Sequence, residues 1–308
     1  MRNKIIITGL TGFVGSNLKD YLKENYNVIG VSRNKSKEGL TYEDLSLELL
    51  SSYNAVIHLA GKAHDIKKTT EENEYFEVNT ELTKKLFDNF LESNSETFIF
   101  MSSVKAVTDE VETELTEETI PNPVTAYGKS KLAAEEYILS KILPNNKRVY
   151  ILRPCMIHGP NNKGNLNLLY SFVSKGVPYP FGKYENKRSF VSVENLCFVI
   201  KELLENKNIP SGIYNVADDE SLSTNELVET IGIGADKKLR IINTPKSFIY
   251  LLAKFGDILP FPINSERVQK LTESYVVSNK KIKSALGIEE FPLSTREGII
   301  KTIKSFTK

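Results

Sequence analysis

Cysteine and histidine are scarce in this chain of 308 residues. The two cysteines, Cys155 and Cys197, can form at most one disulfide bond, and neither stands in a setting that suggests one. A reducing compartment, the cytoplasm, is therefore the favoured location. His64 and His158 have no partner at the spacing of metal ligands, so we infer no metal site. We interpret His58 as structural.

An excess of charge of one sign is also missing. The chain carries 40 basic and 39 acidic side chains, a formal net charge of +1. No basic excess is present to hold a phosphate backbone, so we expect no nucleic-acid partner.

Long hydrophobic runs are absent as well. The apolar run at 5–7 is too short for a signal peptide. The most apolar later stretch, 248–261, is interrupted by Lys254 and Asp257 and falls short of the roughly 20 residues of a membrane span. We expect no membrane span. We interpret 248–261 as an amphipathic helix packed on the body of the protein, in preference to a helix lying on a membrane surface.

The first half of the chain alternates short β-branched runs with helical patterns. Such alternation predicts right-handed βαβ units and a parallel sheet covered on both faces, an α/β fold of the Rossmann-type, doubly wound kind. The predicted strands are 4–8, 27–32, 55–59, 97–102 and 148–152, and the predicted helices are 16–23, 74–92 and 126–142.

The second half is less regular. We predict a dinucleotide-binding domain over 1–160 and a smaller C-terminal α+β lobe over 161–308. Strands at 188–193 and 212–217 are candidates to rejoin the first sheet. Ser223 and Glu226 have the spacing of a capping box that opens a helix.

A glycine pattern directly follows the first strand. Gly9, Gly12 and Gly15 are spaced Gly-x-x-Gly-x-x-Gly between a strand and a helix. The pyrophosphate of a dinucleotide must approach backbone N–H groups at a helix N-terminus, and a side chain at Gly9 or Gly12 would block it. We predict a dinucleotide site here, whose contacts in this turn are Gly9, Thr11, Gly12, Phe13, Val14 and Gly15.

The end of the second strand distinguishes the two nicotinamide dinucleotides. An acidic residue there favours NAD, whereas Ser32 and Arg33 stand at this place. A planar guanidinium pairs well with phosphate oxygens. We therefore predict that NADP(H) is preferred, with NAD(H) possible.

A tyrosine and a lysine share one helix face. Tyr127 and Lys131 are four residues apart, one turn of a helix. The ammonium is expected to lower the pKa of the phenol, so that Tyr127 exchanges a proton with the substrate oxygen. Ser102 and Ser103 end a predicted strand at the sheet edge where such folds bind ligands, and a hydroxyl there holds the same oxygen.

These motifs, taken in order, resemble the extended short-chain dehydrogenase/reductases, in the NAD-dependent epimerase/dehydratase family. The ordered set is Gly9-x-x-Gly12-x-x-Gly15, His58-Leu59-Ala60-Gly61, Ser102-Ser103, Tyr127-x-x-x-Lys131 and Arg153-Pro154-x-x-x-x-Gly159-Pro160. The resemblance covers nearly the whole chain and implies that Ser103, Tyr127 and Lys131 are catalytic. It implies further cofactor contacts at Leu59, Ala60, Gly61, Asn79 and Pro154.

The resemblance also implies a C-terminal lobe that binds a UDP-sugar. Arg188 matches the arginine with which the family grips the sugar diphosphate, and paired positive charge suits a buried diphosphate. Arg267 or Lys270 is expected to supply a second phosphate contact, ahead of a strand-like segment at 271–278. The predicted substrate contacts are Lys105, Asn165, Arg188, Arg267 and Lys270.

Departures from the family pattern narrow the chemistry. Val104 and Lys105 stand where 4,6-dehydratases carry the Asp-Glu pair that eliminates water, so dehydration is not expected. The usual Val-Tyr-Gly is replaced at 106–108. Many 4-epimerases carry an Asp after the second strand, unlike Ser32 and Arg33.

Three functions stay open. The first is an NADP(H)-dependent reductase of the C4 keto group of a UDP-linked 6-deoxy-N-acetylhexosamine in surface-polysaccharide synthesis. The second is a UDP-hexose or UDP-N-acetylhexosamine 4-epimerase with tightly bound NAD. The third is a non-catalytic NADP-binding regulator, against which the presence of Ser103, Tyr127 and Lys131 argues. The resemblance also implies a homodimer formed through the helices at 74–92 and 126–142.

Overall fold

Parallel strands make up the centre of the molecule. The computed structural model describes residues 3–33, 39–63, 71–162, 165–258 and 264–306. The strands are β1 (Asn3–Thr8), β2 (Tyr26–Ser32), β3 (Leu40–Thr41), β4 (Ala55–His58), β5 (Thr97–Met101), β6 (Arg148–Pro154), β7 (Met156–His158), β8 (Phe190–Ser192) and β9 (Gly212–Val216). Seven of these described strands form one parallel sheet in the order β3-β2-β1-β4-β5-β6-β9. The chain reverses its direction of progress between β1 and β4, the place where doubly wound sheets bind ligands.

Helices cover both faces of this sheet. The described helices are α1 (Phe13–Leu22), α2 (Leu47–Ser51), α3 (Glu72–Phe76), α4 (Leu82–Glu92), α5 (Ala126–Ser140), α6 (Asn165–Ser174), α7 (Val193–Glu205), α8 (Thr224–Gly234), α9 (Lys246–Ile258), α10 (Ser265–Thr272), α11 (Lys280–Leu286) and α12 (Thr295–Phe306). Successive residues of a strand point to opposite faces. Ile5 and Ile7 accordingly join the core beneath α1 and α7, while Ile6 joins the core beneath α4 and α5. The predicted α/β class is confirmed.

A third apolar cluster lies in the C-terminal half. Leu227 and Ile231 of α8 pack there with Ile299 and Ile303 of α12. The predicted capping box is present, since Ser223 accepts a hydrogen bond from the Glu226 backbone and the Glu226 carboxylate accepts one from the Ser223 backbone. No helix among the described residues is long and apolar enough to cross a membrane.

Two strand predictions need correction. β9 joins the main sheet beside β6, but β8 pairs with β7 in a separate two-stranded sheet. β9 already pairs with the edge of β6 that faces away from β5, so this edge is not available to β8. β8 pairs instead with β7, which follows β6 in the chain. The predicted strand at 271–278 is wrong in its first part, because α10 continues to Thr272 and only isolated bridges form at Tyr275 and Val277.

Candidate active site

The glycine turn lies at the carboxyl end of β1 and opens helix α1. Gly9 has a φ of +73°, and a Cβ atom there would lie 2.8 Å from the backbone nitrogen of Ala60. A Cβ atom at Gly15 would lie 2.3 Å from the Gly9 carbonyl oxygen. Gly12 caps α1 without a side-chain hydrogen bond, and Thr11 and Gly12 are exposed. Helix N–H groups that no side chain caps are suited to an anion, so this cradle fits a dinucleotide pyrophosphate.

A buried hydrogen-bonded chain fixes the loop after β4. The Ala60 N–H donates to Thr8 Oγ1 at 3.2 Å, and the Thr8 hydroxyl faces His58 Nδ1 at 2.6 Å. At the other end the Thr83 hydroxyl donates to the Asn79 carbonyl at 2.7 Å and faces His58 Nε2 at 2.9 Å. An N–H can only donate and a carbonyl can only accept, so His58 must accept at Nδ1 and donate at Nε2. Burial lowers the pKa of His58 to about 3, which matches this neutral tautomer.

A π-helical turn, Glu77–Glu81, joins α3 to α4 and aims Asn79 at the same loop. The Asn79 amide pairs with both backbone groups of Lys62, at 2.8 and 3.0 Å. Its nitrogen also donates to Ser130 Oγ on α5 at 2.9 Å, and Thr80 donates to the Ser130 carbonyl at 2.8 Å. The Asn79 side chain therefore joins the loop after β4 to helix α5.

The hydroxyls of Ser103 and Tyr127 are brought together at the edge of the sheet. Thr125 caps α5 through the Gly128 N–H, at 3.2 Å, and Tyr127 follows in the first turn. Burial raises the pKa of Tyr127 above its ordinary value, and the hydrogen bond from Ser103 partly opposes this. The expectation of a lowered phenol pKa is therefore wrong for the structure described, because desolvation outweighs the stabilisation of the phenolate.

Lys131 is buried one turn further along α5. Its Nζ donates to the Met101 carbonyl at 2.8 Å and lies 4.8 Å from the centre of the Phe100 ring. Burial lowers the pKa of Lys131 to about 8, against the opposing charge of Glu135. A Cβ atom at Gly61 would lie 2.9 Å from this Nζ, so a side chain at this position would collide with the Lys131 ammonium.

Sequence reasoning missed a buried ion pair behind Lys131. Arg153 Nε donates to Glu135 Oε1 at 3.0 Å, and Ser102 Oγ donates to the same carboxylate. Arg153 and Glu135 are only 2 % and 1 % exposed, and Arg153 Nη1 has no partner among the described residues. Glu135 is four residues beyond Lys131, and that helical spacing was the available signal.

The positions assigned to cofactor choice lie at the end of β2. Ser32 is the last residue of the strand, and Arg33 follows it, exposed. Burial raises the pKa of Tyr42, and the charge of Arg33 opposes that rise, so the two side chains are neighbours.

A further predicted cofactor contact lies at the end of β6, and the loop that follows β7 approaches α1. Pro154 ends β6 and is buried. The loop after β7 approaches α1, since a Cβ atom at Gly159 would lie 3.4 Å from Phe13 Cζ, and Asn17 Nδ2 donates to the Pro160 carbonyl at 3.4 Å.

Positive charge is paired near Ser103 on the substrate side. Lys105 Nζ donates to the Asp109 carbonyl at 2.9 Å and lies 4.5 Å from the centre of the Tyr275 ring. Arg188 donates to the Lys270 carbonyl and lies 3.6 Å from Glu273 Oε1. Burial lowers the pKa of Lys105, the charges of Asp109 and Glu273 oppose this, and the charge of Arg188 adds to it. The Lys105 ammonium lies 3.7 Å from Asp109 Oδ1.

The other predicted substrate contacts are Asn165, Arg267 and Lys270. Lys270 presents its backbone carbonyl to Arg188, while its ammonium binds Glu266 at 2.6 Å. Arg267 is exposed on the same helix. Asn165 begins α6, but its side chain lies outside the described part of the chain. These three contacts stay predictions.

A Rossmann-type sheet with this ordered set of motifs defines an extended short-chain dehydrogenase/reductase. More narrowly, the chain belongs to the NAD dependent epimerase/dehydratase family, whose family model matches residues 5–217.

Named relatives include both epimerases and a reductase. A UDP-glucose 4-epimerase of Vibrio cholerae is 32 % identical, over 99 % of this chain and 96 % of that protein. The N-acetyl-alpha-D-glucosaminyl-diphospho-ditrans,octacis-undecaprenol 4-epimerase of Escherichia coli O157:H7 is 26 % identical, over 99 % and 95 %. A GDP-6-deoxy-D-mannose reductase of Pseudomonas aeruginosa is 26 % identical, over 80 % and 84 %. The crystal structure of UDP-N-acetylglucosamine 4-epimerase from Bacillus cereus has the same fold, with a TM-score of 0.76 at 22 % identity and 99 % of each chain covered.

Proposed function

We propose that this protein is a nicotinamide-dependent oxidoreductase that reduces the C4 keto group of a UDP-linked 6-deoxy-N-acetylhexosamine in surface-polysaccharide synthesis, with NADP(H) preferred. The observation that carries the proposal is the hydrogen-bonded pair of hydroxyls of Ser103 and Tyr127, together with the identity of the two residues after Ser103, which are Val104 and Lys105. The pair suits proton exchange at a carbonyl oxygen. The two residues after it supply no carboxylate for elimination of water.

The proton side of the reaction is assigned to three residues of this chain. A nicotinamide cofactor, held by the glycine turn and by the loop that Asn79 fixes, would supply the hydride when bound. Tyr127 donates its proton to the oxygen at C4, and Ser103 orients that oxygen by a hydrogen bond. Lys131, charged below a pKa of about 8, stabilises the phenolate that remains.

The substrate side is assigned to the cation pair. We assign the two phosphates of the nucleotide to Lys105 and Arg188, because a diphosphate binds best between paired positive charges. Arg188 already faces Glu273, so the diphosphate has to compete with that carboxylate. Asn165, Arg267 and Lys270 belong to this proposal as secondary contacts.

The decisive experiment mixes the purified protein with NADPH and a 4-keto UDP-N-acetylhexosamine. One NADPH should be consumed for each ketone, with the alcohol as product, and Tyr127→Phe is the inactive control. Absence of oxidation with every 4-keto nucleotide sugar tried would refute the reductase.

A second candidate is a 4-epimerase, favoured by the 32 % identity with the Vibrio cholerae enzyme over 99 % of this chain. The name of the Escherichia coli relative adds a lipid-linked diphosphosugar to the possible substrates of such an enzyme. An epimerase would purify with NAD bound and would interconvert the two C4 epimers without added cofactor. A reductase needs its cofactor stoichiometrically, so the same preparation separates the two.

Two lesser proposals accompany these. A non-catalytic regulator would be supported if Tyr127→Phe left cellular function unchanged. A homodimer through α4 and α5 is proposed from the family resemblance, and Leu139 and Ile142 are exposed near the end of α5, at 55 % and 94 %.

A further inference from the structure

Helix α9 has two apolar faces. One face is buried, since Ile249 and Ala253 are 0 % and 1 % exposed, so the helix packs on the body of the protein as predicted. The other face is a stripe of four large side chains at the spacing i, i+3, i+7 and i+10. We call this the α9 stripe, and its members with their exposed fractions are Phe248 (52 %), Leu251 (52 %), Phe255 (56 %) and Ile258 (85 %).

The α9 stripe is not the scatter of single apolar side chains that is normal on a protein surface. The i, i+3, i+7 spacing puts its members on one side of the helix. Contiguous exposed apolar surface of this kind marks an interaction site. The helix has 13 residues and spans about 20 Å, so it is suited to lie along a surface.

Positive charge is concentrated in the segment of the chain that contains the stripe. Residues 237–270 carry a net charge of +5 in a chain whose total is +1, so the rest of the chain carries −4. All the basic side chains of this segment are exposed, and they are Lys237, Lys238, Arg240, Lys246, Lys254, Arg267 and Lys270. Asp257 and Glu266 are its acidic residues.

This charge decides what covers the stripe. A second copy of the chain, docked through the same patch on both subunits, would place like charge against like charge. An anionic lipid bilayer takes up an apolar helix face and attracts the lysines and arginines beside it. We propose that the α9 stripe docks this protein on the surface of an anionic membrane.

Docking would hold against the lipid surface the helix that precedes α10. α10 follows α9 along the chain, and Arg188 donates to the carbonyl of Lys270 near the end of α10. The inference concerns binding alone and holds for either candidate reaction.

Co-sedimentation with vesicles tests the proposal. The full-length protein should bind vesicles of equal parts phosphatidylglycerol and phosphatidylcholine, bind phosphatidylcholine vesicles at least about tenfold more weakly, and be released by about 0.5 M salt, which screens charge. Phe255→Ser should weaken binding about tenfold, and adding Leu251→Ser about tenfold more, because each removes apolar area from the lipid contact. Ile120→Ser removes a side chain that is 86 % exposed elsewhere and should leave binding unchanged.

Three results would overturn the proposal. They are no binding to anionic vesicles, binding that Phe255→Ser does not alter, and a dimer in lipid-free solution that Phe255→Ser dissociates, since the last would show that a second copy covers the stripe. Lys254→Glu, which leaves the stripe intact, gives an independent reading and should weaken binding to anionic vesicles only. Activity on a water-soluble substrate should be unchanged in each variant, so failure here is distinguishable from failure of the proposed reaction.

Discussion

The Lys131 ammonium and the Met101 carbonyl oxygen are joined by a hydrogen bond of 2.8 Å. This bond ties the middle of α5 to the last residue of β5. Tyr127 lies one turn before Lys131, and Ser103 lies two residues after Met101, so the same bond sets where the two hydroxyls meet. The spacing of the proposed catalytic residues therefore depends on this hydrogen bond between a side chain and the backbone. The bond is shielded from solvent, since Lys131 is only 3 % exposed.

Removal of the Tyr127 hydroxyl should abolish turnover and spare cofactor binding. Tyr127→Phe takes away the proton donor, and positioned acid–base groups contribute about 10²- to 10⁴-fold to rates. The measurement is kcat by NADPH oxidation, with the cofactor dissociation constant from fluorescence titration. The matched control is Tyr75→Phe, because the Tyr75 ring lies 6.4 Å from that of Tyr127. Equal loss in both variants would show a packing effect.

Turnover should fall as the pH rises through the pKa of Lys131, about 8. Above it the amine is neutral and no longer stabilises the phenolate of Tyr127. Glu135 holds the pKa of Lys131 up against burial, so Glu135→Gln should move the alkaline limb of the kcat–pH profile to lower pH. Glu136→Gln, an exposed neighbour, should leave the profile in place. An unshifted limb in Glu135→Gln would argue that another group titrates there.

The buried ion pair between Glu135 and Arg153 means that Glu135 variants should also change the stability of the fold. Removal of one partner from a buried ion pair costs about 3–5 kcal/mol, because the other charge is left uncompensated. Glu135→Ala should therefore lower the free energy of unfolding by about that amount, measured by urea denaturation. Glu135→Gln keeps hydrogen-bond acceptance and should cost less. Equal losses would assign the stabilisation to charge alone.

Cofactor choice should follow Ser32 and Arg33. A charge-assisted hydrogen bond contributes about 1.5–3 kcal/mol, so Arg33→Ala should weaken NADPH binding roughly 10- to 150-fold. NADH lacks the 2′-phosphate and should bind as before. Ser32→Asp should invert the preference by placing a carboxylate against that phosphate. Equal affinity of the unaltered protein for NADH and NADPH would favour the epimerase.

Gly61→Ala should slow turnover through Lys131. The new methyl group would lie 2.9 Å from Lys131 Nζ and 3.0 Å from Asn79 Oδ1, so the flexible ammonium has to move. Misplacement by about 1 Å costs about 10²-fold in rate. The control is Gly61→Ala in a Lys131→Ala background, where it should have little further effect on kcat. A full additional loss there would place its effect elsewhere.

Elements set by local patterns were predictable from the sequence. The five predicted strands of the first half lie within two residues of their predicted ends, because buried β-branched runs bounded by glycine and polar residues have few alternatives. The two-residue strand β3 was not predicted. The Ser223–Glu226 capping box is equally local. The strand predicted at 271–278 shows where prediction from local pattern fails. The Asn264 side chain accepts a hydrogen bond from the Arg267 N–H and so starts helix α10, which runs into this segment.

Features that depend on long-range contact were not predictable. Glu135 binds Arg153 from another element, and the sheet brings them together. The pKa of Tyr127 depends on burial by the whole fold, which the spacing to Lys131 does not reveal. The contacts of Arg188 with Glu273 and the Lys270 carbonyl likewise depend on where α10 ends.

The π-helical turn Glu77–Glu81 changes the direction in which the side chains of α4 point relative to those of α3. It takes up one residue more than an α-helical turn, and each residue rotates a helix by about 100°. Upstream of it Tyr75 faces Tyr127, and downstream Leu86, Phe87 and Phe90 face the sheet. An unbroken α-helix could satisfy only one of these orientations. Deletion of a single residue within the turn would therefore misalign Asn79 while leaving the apolar end of the helix in register.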